Sequence, residues 1–325
     1  ADYQTVFRKI KNSKLLRTDA LIYRNFNLSR FSVVDSANEN DNVRQLPLVF
    51  VGGYARSGTT LMRTILDAHE SIYCGPETKI LPSMLSFLMS FFAAHYDEFA
   101  STSAGFNFSQ INAAASQFIL TILKSHQKRA SVRRLCAKDP DILFYMRYLS
   151  ELFPNAKFLF MVRDGRAAVH SLMEKLNEEK TESKFLTYLK TWNDLNEVVS
   201  TQCRHVGHTS CMMIKYERLV LHTNETIQRV MSFLNETFSK DQLEHERLVG
   251  TRIELSETEW STNQVQKPIY THSLVEWLED PVSSFNTIAL RKIAPMLDKL
   301  NYSIDINELD YLEELKSQKK SKISD

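Results

Sequence analysis

Short apolar runs alternate along this chain with longer segments of helical character. The runs are Leu48–Gly53, Arg134–Lys138, Lys157–Arg163 and Ser210–Lys215. Nearly continuous apolar runs of this length are typical of strands that are buried on both faces. Because strands alternate with helices, the pattern predicts an α/β protein with a parallel central sheet flanked by helices.

The segments between the runs give the helices and the domain limits. Predicted helices cover about Thr59–Ala68, Leu81–Phe92, Ile111–Ser125, Asp141–Leu152, Arg166–Leu176, Ser183–Ser200 and Thr226–Leu234. No repeat or low-complexity linker divides this region, so we predict one domain over residues 47–314. The polar residues 1–46 predict a stem-like linker, and the Lys- and Ser-rich residues 315–325 predict a disordered basic tail.

The charge balance excludes a global attraction to polyanions. The chain has 40 Lys and Arg against 39 Asp and Glu, a net charge of +1. We therefore expect no nucleic-acid partner, and any anion recognition must be local. No run of about 18 apolar residues occurs, so the sequence predicts no transmembrane helix within these residues. The chain begins at Ala1 rather than Met, which indicates a trimmed or processed form.

Cysteines and glycosylation sequons bear on the compartment. The four cysteines contain no Cys-x-x-Cys pair, which argues against zinc, and we predict no metal. An even count suits two disulfides in any of three pairings, with four reduced core thiols as the alternative. Five sequons favour a secretory compartment; they begin at Asn27, Asn107, Asn224, Asn235 and Asn301.

The segment Gly53–Thr60, Gly-Tyr-Ala-Arg-Ser-Gly-Thr-Thr, carries the strongest chemical signal. Its glycines have the spacing of a phosphate-binding loop, and it joins a predicted strand to a predicted helix, as that motif requires. Backbone N–H groups at a helix start attract anions, and the hydroxyls of Ser57, Thr59 and Thr60 add donors. The alternative is a glycine-rich turn that only connects the two elements.

One position of this loop decides between classes of phosphate chemistry. Thr59 stands where nucleotide-triphosphate enzymes place the lysine that reaches the β- and γ-phosphates. This argues against an ATPase or a kinase. Arg56 brings the positive charge into the loop instead, which indicates binding of a 5′-phosphate without Mg²⁺.

Several blocks in consistent order between about Pro47 and Tyr302 resemble a known family. The blocks are Pro47–His69, Cys74–Thr78, Leu135–Pro140, Phe158–Ser171, Ser261–Pro268 and Ile293–Leu297. Together they resemble the tyrosylprotein sulfotransferases. The resemblance implies a phosphate-loop, sulfotransferase-type fold and makes residues 47–314 the catalytic domain.

The resemblance also implies an activity and a setting. The donor would be 3′-phosphoadenosine 5′-phosphosulfate, which leaves as adenosine 3′,5′-bisphosphate. The acceptors would be tyrosine hydroxyls, usually beside acidic residues, in secreted and membrane proteins. The family works in the Golgi lumen as homodimeric type II membrane proteins, and its N-terminal anchor is absent from these residues.

Sulfuryl transfer to tyrosine needs a base and charge stabilisation, because the phenol has a pKa near about 10. Glu77 follows an apolar pair and a turn, which suggests a strand's carboxyl end; the resemblance makes it the base, whereas the sequence alone favours a helix-capping Glu. Lys138 closes a predicted strand and would neutralise the bridging oxygen. Arg56 and Ser261 complete the catalytic set that the resemblance implies.

The resemblance assigns a second group of residues to the donor. Arg163 and Ser171 would bind the 3′-phosphate, a task that suits the arginine fork and would distinguish this donor from ATP. The other donor-binding residues would be Arg56, Ser57, Gly58, Thr59, Thr60, Lys175, Tyr216, Ser261, Thr262, Asn263, Gln264, Val265 and Lys267.

Some positions depart from the family pattern. Lys175 replaces an Arg near the 3′-phosphate, and Glu276 replaces a Lys that contacts the nucleotide. Lys79 and Ser83 replace arginines that help to read acidic substrates. We therefore expect a weaker or differently built acidic preference, with Thr78 and Lys79 as the substrate-binding residues.

Two further expectations concern basic residues and disulfides. A basic run could compensate for the missing arginines, although a solvated face is the favoured interpretation; it comprises Lys124, Lys128, Arg129, Arg133 and Arg134. The resemblance pairs Cys74 with Cys136 and Cys203 with Cys211.

Two other functions fit the sequence less well. A sulfotransferase for a carbohydrate or a small phenol is the nearest rival, but small-molecule enzymes of that superfamily typically use a His base, and only His69 lies near the loop and Glu77. A binder that kept the loop without the chemistry is disfavoured because Glu77, Lys138 and Ser261 occur together.

Overall fold

The computed structural model describes residues 43–100, 108–125, 127, 129–256, 259–279 and 287–324. The predicted linker over residues 1–46 therefore lies almost wholly outside the described residues, as do the sequons at Asn27 and Asn107. Within the described residues, no helix combines the length and the hydrophobicity needed to cross a bilayer.

A five-stranded, fully parallel sheet forms the centre of the molecule. Its strands are β1 (Val49–Gly53), β2 (Ile72–Tyr73), β3 (Arg134–Lys138), β4 (Lys157–Val162) and β5 (Cys211–Lys215). The order across the sheet is β2-β3-β1-β4-β5. This architecture confirms the predicted α/β class with a parallel central sheet. The two-residue β2 lies outside the four apolar runs, but it is the strand that the apolar pair before Glu77 suggests.

Helices cover both faces of the sheet. They are α1 (Thr59–Asp67), α2 (Ile80–Ala100), α3 (Phe108–Ser125), α4 (Met146–Leu152), α5 (Gly165–Lys175), α6 (Glu182–Val206), α7 (Tyr216–Leu221), α8 (Thr223–Phe233), α9 (Thr262–Val265), α10 (Thr287–Ile293), α11 (Met296–Lys299) and α12 (Asp310–Ser324). All predicted helices are present, although α2 and α6 are longer than predicted and a 3₁₀ turn, Ile142–Tyr145, precedes α4.

The alternation of side chains along β1 divides the core into two layers. Phe50 packs with Phe158 of β4, with ring centroids 5.5 Å apart, in the larger layer. Val49 and Val51 point to the opposite layer, where they meet α1 and α8. Because both faces are buried, the strands carry few polar positions, which is why the apolar runs predicted them well.

The C-terminal segment differs from the prediction of a disordered tail. Asp310–Ser324 forms α12, and the side chains of Leu312 and Leu315 are buried against the protein. Glu314 of the same helix contacts His222 at the end of α7. The prediction was wrong because this Lys-rich segment also carries an apolar edge. Burial of that edge offsets the conformational entropy that the segment loses when it is ordered.

Parallel pairing brings all strand carboxyl ends to one edge of the sheet. Gly53 ends β1, Lys138 ends β3, and Arg163 follows β4. The chain goes from β1 to β2 and β3 on one side and then returns to β4 on the other, which opens a crevice beside β1. Such a switch point is where open α/β sheets bind ligands.

Candidate active site

The loop after β1 turns the chain sharply into α1. Gly58 caps this helix with a φ of 94°, a left-handed conformation that favours glycine. A Cβ at Gly58 would lie 2.6 Å from Cδ2 of Tyr216, so the position has no room for a side chain. The first N–H groups of α1, which lack partners within the helix, therefore face the crevice with the aromatic ring beside them.

Arg56 links three elements at the mouth of this loop. It adopts a φ of 69°, which is uncommon for a residue with a side chain. Its guanidinium donates to Ser171 Oγ at 3.0 Å, to Ser261 Oγ at 2.6 Å and to Gln264 Oε1 at 2.7 Å. Burial and the nearby Arg163 lower the pKa of Arg56. Two cations concentrated in one cleft indicate a site for an anion.

Arg163 forms the other wall of the same cleft. Its guanidinium donates to the carbonyl oxygens of Arg56, at 3.0 Å, and Ser273, at 2.6 Å. It also lies over the Tyr216 ring, 4.7 Å from the centroid, in a cation–π arrangement. The Tyr216 hydroxyl and the Ser273 hydroxyl are 2.9 Å apart. Arg163 is thus fixed in place by backbone and aromatic contacts.

Two buried donors in this region have no protein partner among the described residues. They are the hydroxyl of Ser57, which is fully buried, and Nε of Arg163. Buried donors without partners are costly unless a ligand or water satisfies them. The cleft holds about 490 Å³ of space, part of it open to solvent. Its two arginines and unpartnered donors suit the phosphate groups of a nucleotide.

Glu77 and Lys138 meet beside the loop. Lys138 Nζ donates to Glu77 Oε2 at 2.6 Å and to Thr60 Oγ1 at 3.4 Å. The Lys138 side chain is 1% exposed and that of Glu77 is 10% exposed. The pair therefore bridges the carboxyl end of β3, the segment after β2 and the first turn of α1. Glu77 is therefore not an exposed helix-capping residue, which was the alternative interpretation.

A disulfide ties the two segments that carry this pair. Cys74, three residues before Glu77, is bonded to Cys136, two residues before Lys138. The second bridge joins Cys203 near the end of α6 to Cys211 at the start of β5. Both pairings are those that the resemblance implied, and the four-thiol alternative does not fit.

Glu259 is a site residue that the sequence analysis missed. Its buried carboxylate lies 2.7 Å from Lys138 Nζ and accepts from Arg63 at 2.5 Å. Burial alone would raise the pKa of Glu259, but the Lys138 and Arg63 cations hold that pKa below its usual value. Its only signal in the sequence is its position two residues before Ser261, and its partners are distant along the chain.

A second, narrower pocket adjoins Glu77 and Lys138. Apolar residues form most of its walls, and its polar residues include Thr78, Lys138 and Asp139; the walls include Leu81, Pro82, Ile122, Leu123, Ala137 and Ile142. Burial and then Glu77 raise the pKa of Asp139, and the same causes raise the pKa of Asp141 to about 6. Apolar walls next to the Glu77–Lys138 pair are compatible in their chemistry with an aromatic acceptor.

The remaining predicted residues are placed around these two pockets. Val265 and Lys267 line the cleft of Arg56 and Arg163, and Thr262 Oγ1 donates to the carbonyl of Glu259 at 2.8 Å. Asn263 is exposed on α9, and Lys175 is exposed at the end of α5. Their donor-binding roles stay predictions.

The residues that depart from the family pattern also have defined places. Thr78 lines the narrower pocket, and Lys79 beside it has a φ of 58°. Ser83, in the first turn of α2, donates back to the carbonyl of Lys79, the residue before that helix, at 2.9 Å. Burial lowers the pKa of Arg56 overall, and the Glu276 charge opposes that effect.

The basic run is not a solvated face throughout. Arg129 donates to the carbonyl oxygens of Asp67, His69 and Ile72, and its guanidinium lies 5.3 Å from the Tyr73 ring centroid. Arg134 is buried at the start of β3 and donates to two carbonyl oxygens. Both arginines hold the fold together, so the solvated-face interpretation is wrong for them, and Lys128 lies outside the described residues.

Comparisons with known proteins agree with this architecture. Residues 47–240 match the model of the Sulfotransferase family. A sulfotransferase domain from the Synechococcus PCC 7002 olefin synthase has a TM-score of 0.54 at 19% identity and covers 78% of this chain and 94% of its own. A sulfotransferase domain from the curacin biosynthetic pathway has a TM-score of 0.53 at 19% identity and covers 80% and 99%. At such low identity these two structures establish the fold alone.

Relatives of known sequence are more similar. The protein-tyrosine sulfotransferase of Drosophila melanogaster is 36% identical over 94% of this chain, which spans 62% of that protein. Protein-tyrosine sulfotransferase A of Caenorhabditis elegans is 37% identical over 86% of the chain and 74% of its own length. Protein-tyrosine sulfotransferase 2 of Gallus gallus is 39% identical over 82% and 72%. The chain therefore belongs to the protein-tyrosine sulfotransferase family.

Proposed function

We propose that this chain transfers a sulfuryl group from 3′-phosphoadenosine 5′-phosphosulfate to tyrosine hydroxyls of proteins. The observation that carries the proposal is the contact between Glu77 and Lys138, 2.6 Å apart, beside Thr60 of the phosphate-binding loop. A base and a cation are thereby brought together beside the loop, next to a pocket whose walls are mostly apolar. Membership of the family supports tyrosine as the acceptor.

The residues of the larger cleft fit the donor. The N–H groups of the first turn of α1 and the unpartnered hydroxyl of Ser57 can receive the 5′-phosphate. Arg163, with its unpartnered Nε, can bind a 3′-phosphate together with Ser171. Tyr216 supplies an aromatic wall that is already fixed by Arg163. The two cations of the cleft match the two phosphate positions of the donor.

Each residue of the pair has a distinct task in the transfer. Glu77 accepts the proton of the phenol as the tyrosine oxygen forms its bond to sulfur. Lys138 and Arg56 stabilise the charge that grows on the bridging phosphate oxygen as its bond to sulfur breaks. The tyrosine leaves as its sulfate ester, adenosine 3′,5′-bisphosphate is released, and the proton is on Glu77. Ser261 is held by Arg56 where it can donate to the sulfuryl oxygens.

The proposed setting is the Golgi lumen. Two disulfides suit an oxidising compartment of the secretory pathway. The membrane anchor and the homodimer are proposed by family likeness, as are acidic segments of secretory-pathway proteins as substrates. No metal is required in this scheme, because Arg56, Arg163 and Lys138 supply the positive charges.

A transfer assay tests the proposal. The protein is incubated with sulfur-labelled donor and a peptide that carries one Tyr among Asp and Glu, and the same peptide with Phe is the control. We expect label on the Tyr peptide only. No label on the Tyr peptide, under conditions in which adenosine 3′,5′-bisphosphate binds, would overturn the proposal.

A further inference from the structure

Glu259 lies inside the protein between two cations and has no contact with solvent. Its side chain is 0% exposed, as is that of Arg63, and that of Lys138 is 1% exposed. A carboxylate is rarely placed at this depth unless its charge is used, because its desolvation is costly. Arg63 also pairs with another carboxylate, that of Asp67, at 3.1 Å. Glu259 is therefore not needed to neutralise Arg63.

The contacts of Glu259 close a ring that returns to Glu77. Glu77 contacts Lys138, Lys138 contacts Glu259, and Glu259 contacts Arg63. Arg63 contacts Asp67, which accepts from the backbone N–H of Cys74 at 2.6 Å. Three residues further on the chain reaches Glu77 again. Within this ring Lys138, Glu259 and Arg63 each lie between two oppositely charged groups, whereas Glu77 and Asp67 each contact one of the cations.

Glu259 also connects this ring to the donor cleft. Its carbonyl accepts from Thr262 Oγ1 at 2.8 Å at the start of α9. Ser261, two residues after Glu259, accepts from Arg56 at 2.6 Å. A displacement of Glu259 would therefore disturb Lys138 on one side and the Arg56 contact on the other.

We propose that Glu259 is a positioning residue that holds Lys138 in the site when Glu77 takes the proton of the acceptor. This inference rests on the proposed function. A protonated Glu77 is neutral and no longer attracts the ammonium. Glu259 then supplies the remaining carboxylate contact, and Lys138 stays beside Thr60 and the donor loop, where its charge is needed.

The test substitutes Glu259→Gln, which keeps the shape and removes the charge. Glu236→Gln is the matched control, because Glu236 is 7% exposed and also pairs with two cations, Arg133 and Arg134, at the opposite end of β3. The measurements are kcat and KM with the Tyr peptide, the affinity for adenosine 3′,5′-bisphosphate by calorimetry, and thermal unfolding.

We expect Glu259→Gln to lower kcat by about 10- to 100-fold, less than the roughly 10²- to 10³-fold loss typical when a direct donor to the reacting oxygens is removed. Affinity for adenosine 3′,5′-bisphosphate should stay within about threefold of wild type, and Glu236→Gln should leave kcat unchanged. In a Lys138→Met background, Glu259→Gln should add little, since the two residues act as one unit.

Several outcomes would overturn the inference. Wild-type kcat in Glu259→Gln would do so, and so would a parallel loss of adenosine 3′,5′-bisphosphate affinity, which would make Glu259 a support of the donor cleft.

A crystal structure of Glu77→Gln gives a readout that does not depend on activity, because the neutral amide imitates the protonated base. In that structure we expect the Lys138 ammonium to remain in contact with Glu259. Loss of this contact would refute the inference, whether or not the wild-type protein labels a peptide. Absence of labelling by the wild type counts against the proposed function alone.

Discussion

Arg163 donates a hydrogen bond to the main-chain carbonyl of Arg56, with 3.0 Å between nitrogen and oxygen. The contact joins the residue after β4 to the loop after β1, so the two cations of the donor cleft are fixed relative to each other. The Arg163 guanidinium is held by main-chain carbonyl oxygens and the Arg56 guanidinium by three side-chain oxygens. A cleft with two cations held in this way is suited to selecting ligands by the distance between their two phosphates.

Substitution of Arg163 should affect ligands with a 3′-phosphate most. We expect Arg163→Gln to weaken binding of adenosine 3′,5′-bisphosphate by about 10- to 100-fold, since a hydrogen bond to a charged group contributes about 1.5–3 kcal/mol. Binding of adenosine 5′-monophosphate should change little, and it is the internal control. Calorimetry with both nucleotides checks this; equal losses for both would show that Arg163 only supports the fold of the cleft.

Glu77→Gln should separate chemistry from binding. We expect kcat to fall by about 10²- to 10⁴-fold, the range typical of a lost general base, with adenosine 3′,5′-bisphosphate affinity retained. Steady-state kinetics and calorimetry on the same preparation make the comparison. If donor affinity is lost together with turnover, Glu77 shapes the site and is not the base.

The two disulfides offer a matched pair of deletions. Replacing Cys74 and Cys136 by Ser should lower kcat, because the bridge joins the segments of Glu77 and Lys138. Replacing Cys203 and Cys211 should leave kcat nearly unchanged, because that bridge lies at the amino end of β5. By loop entropy the first deletion costs about 4 kcal/mol of stability and the second about 2.5 kcal/mol, for sequence separations of 62 and 8. Equal kinetic effects at a temperature where both variants are folded would contradict the prediction.

Lys79 should contribute to the reading of acidic substrates. Lys79→Gln is expected to raise KM two- to fivefold for a peptide with Asp and Glu beside Tyr, about 0.5–1 kcal/mol, as for an exposed ion pair. KM for a peptide with neutral flanks should not change, and the effect should shrink at high salt. Lys190→Gln is the control, because that side chain lies on α6, is 52% exposed and is not part of the basic run. An equal change in KM for both peptides would exclude a charge-reading role.

Asp141 should make stability depend on pH in the mildly acidic range. Burial and Glu77 raise its pKa from 3.8 to about 6, so the folded state binds this proton more tightly than the unfolded chain. The wild type therefore loses stability as the pH rises from about 4 to about 6, by up to about 3 kcal/mol. Asp141→Asn cannot ionise and escapes this loss.

Denaturant unfolding at pH 4.5 and pH 7.5 measures the effect. Asp141→Asn should be more stabilising, relative to wild type, at the higher pH. Asp298→Asn is the control, because that side chain is 48% exposed. A gain from Asp141→Asn that is equal at both pH values would show that ionisation of Asp141 is not its cause.

Local patterns predicted the parts of the site that follow strands. Lys138 ends an apolar run, which predicts its place at the end of a strand. The spacing of the glycines around Arg56 identifies a phosphate-binding loop from only eight residues, so the position of Arg56 in that loop is also predicted. The disulfides and Glu77 needed the family resemblance, because short-range patterns do not specify pairing or distinguish a base from a helix cap.

The features that were missed depend on distant contacts. Glu259 lies in a polar segment, and its partner Arg63 is 196 positions away, so no window of the sequence shows that it is buried. Arg129 and Arg134 have the composition of a solvated basic face, but main-chain carbonyl oxygens of other segments surround them. The helix Asp310–Ser324 was missed because its packing surface lies on another element.

The oxygens that Arg56 contacts, on Ser171, Ser261 and Gln264, all belong to uncharged side chains. Because such dipoles offset a full positive charge only in part, an arriving anion meets weak competition from the protein. The cleft should consequently attract small inorganic anions as well as nucleotides. Donor affinity measured in phosphate or sulfate buffer should therefore appear lower than in a buffer of bulky zwitterions, and kinetic constants for this protein can be compared only at matched anion composition.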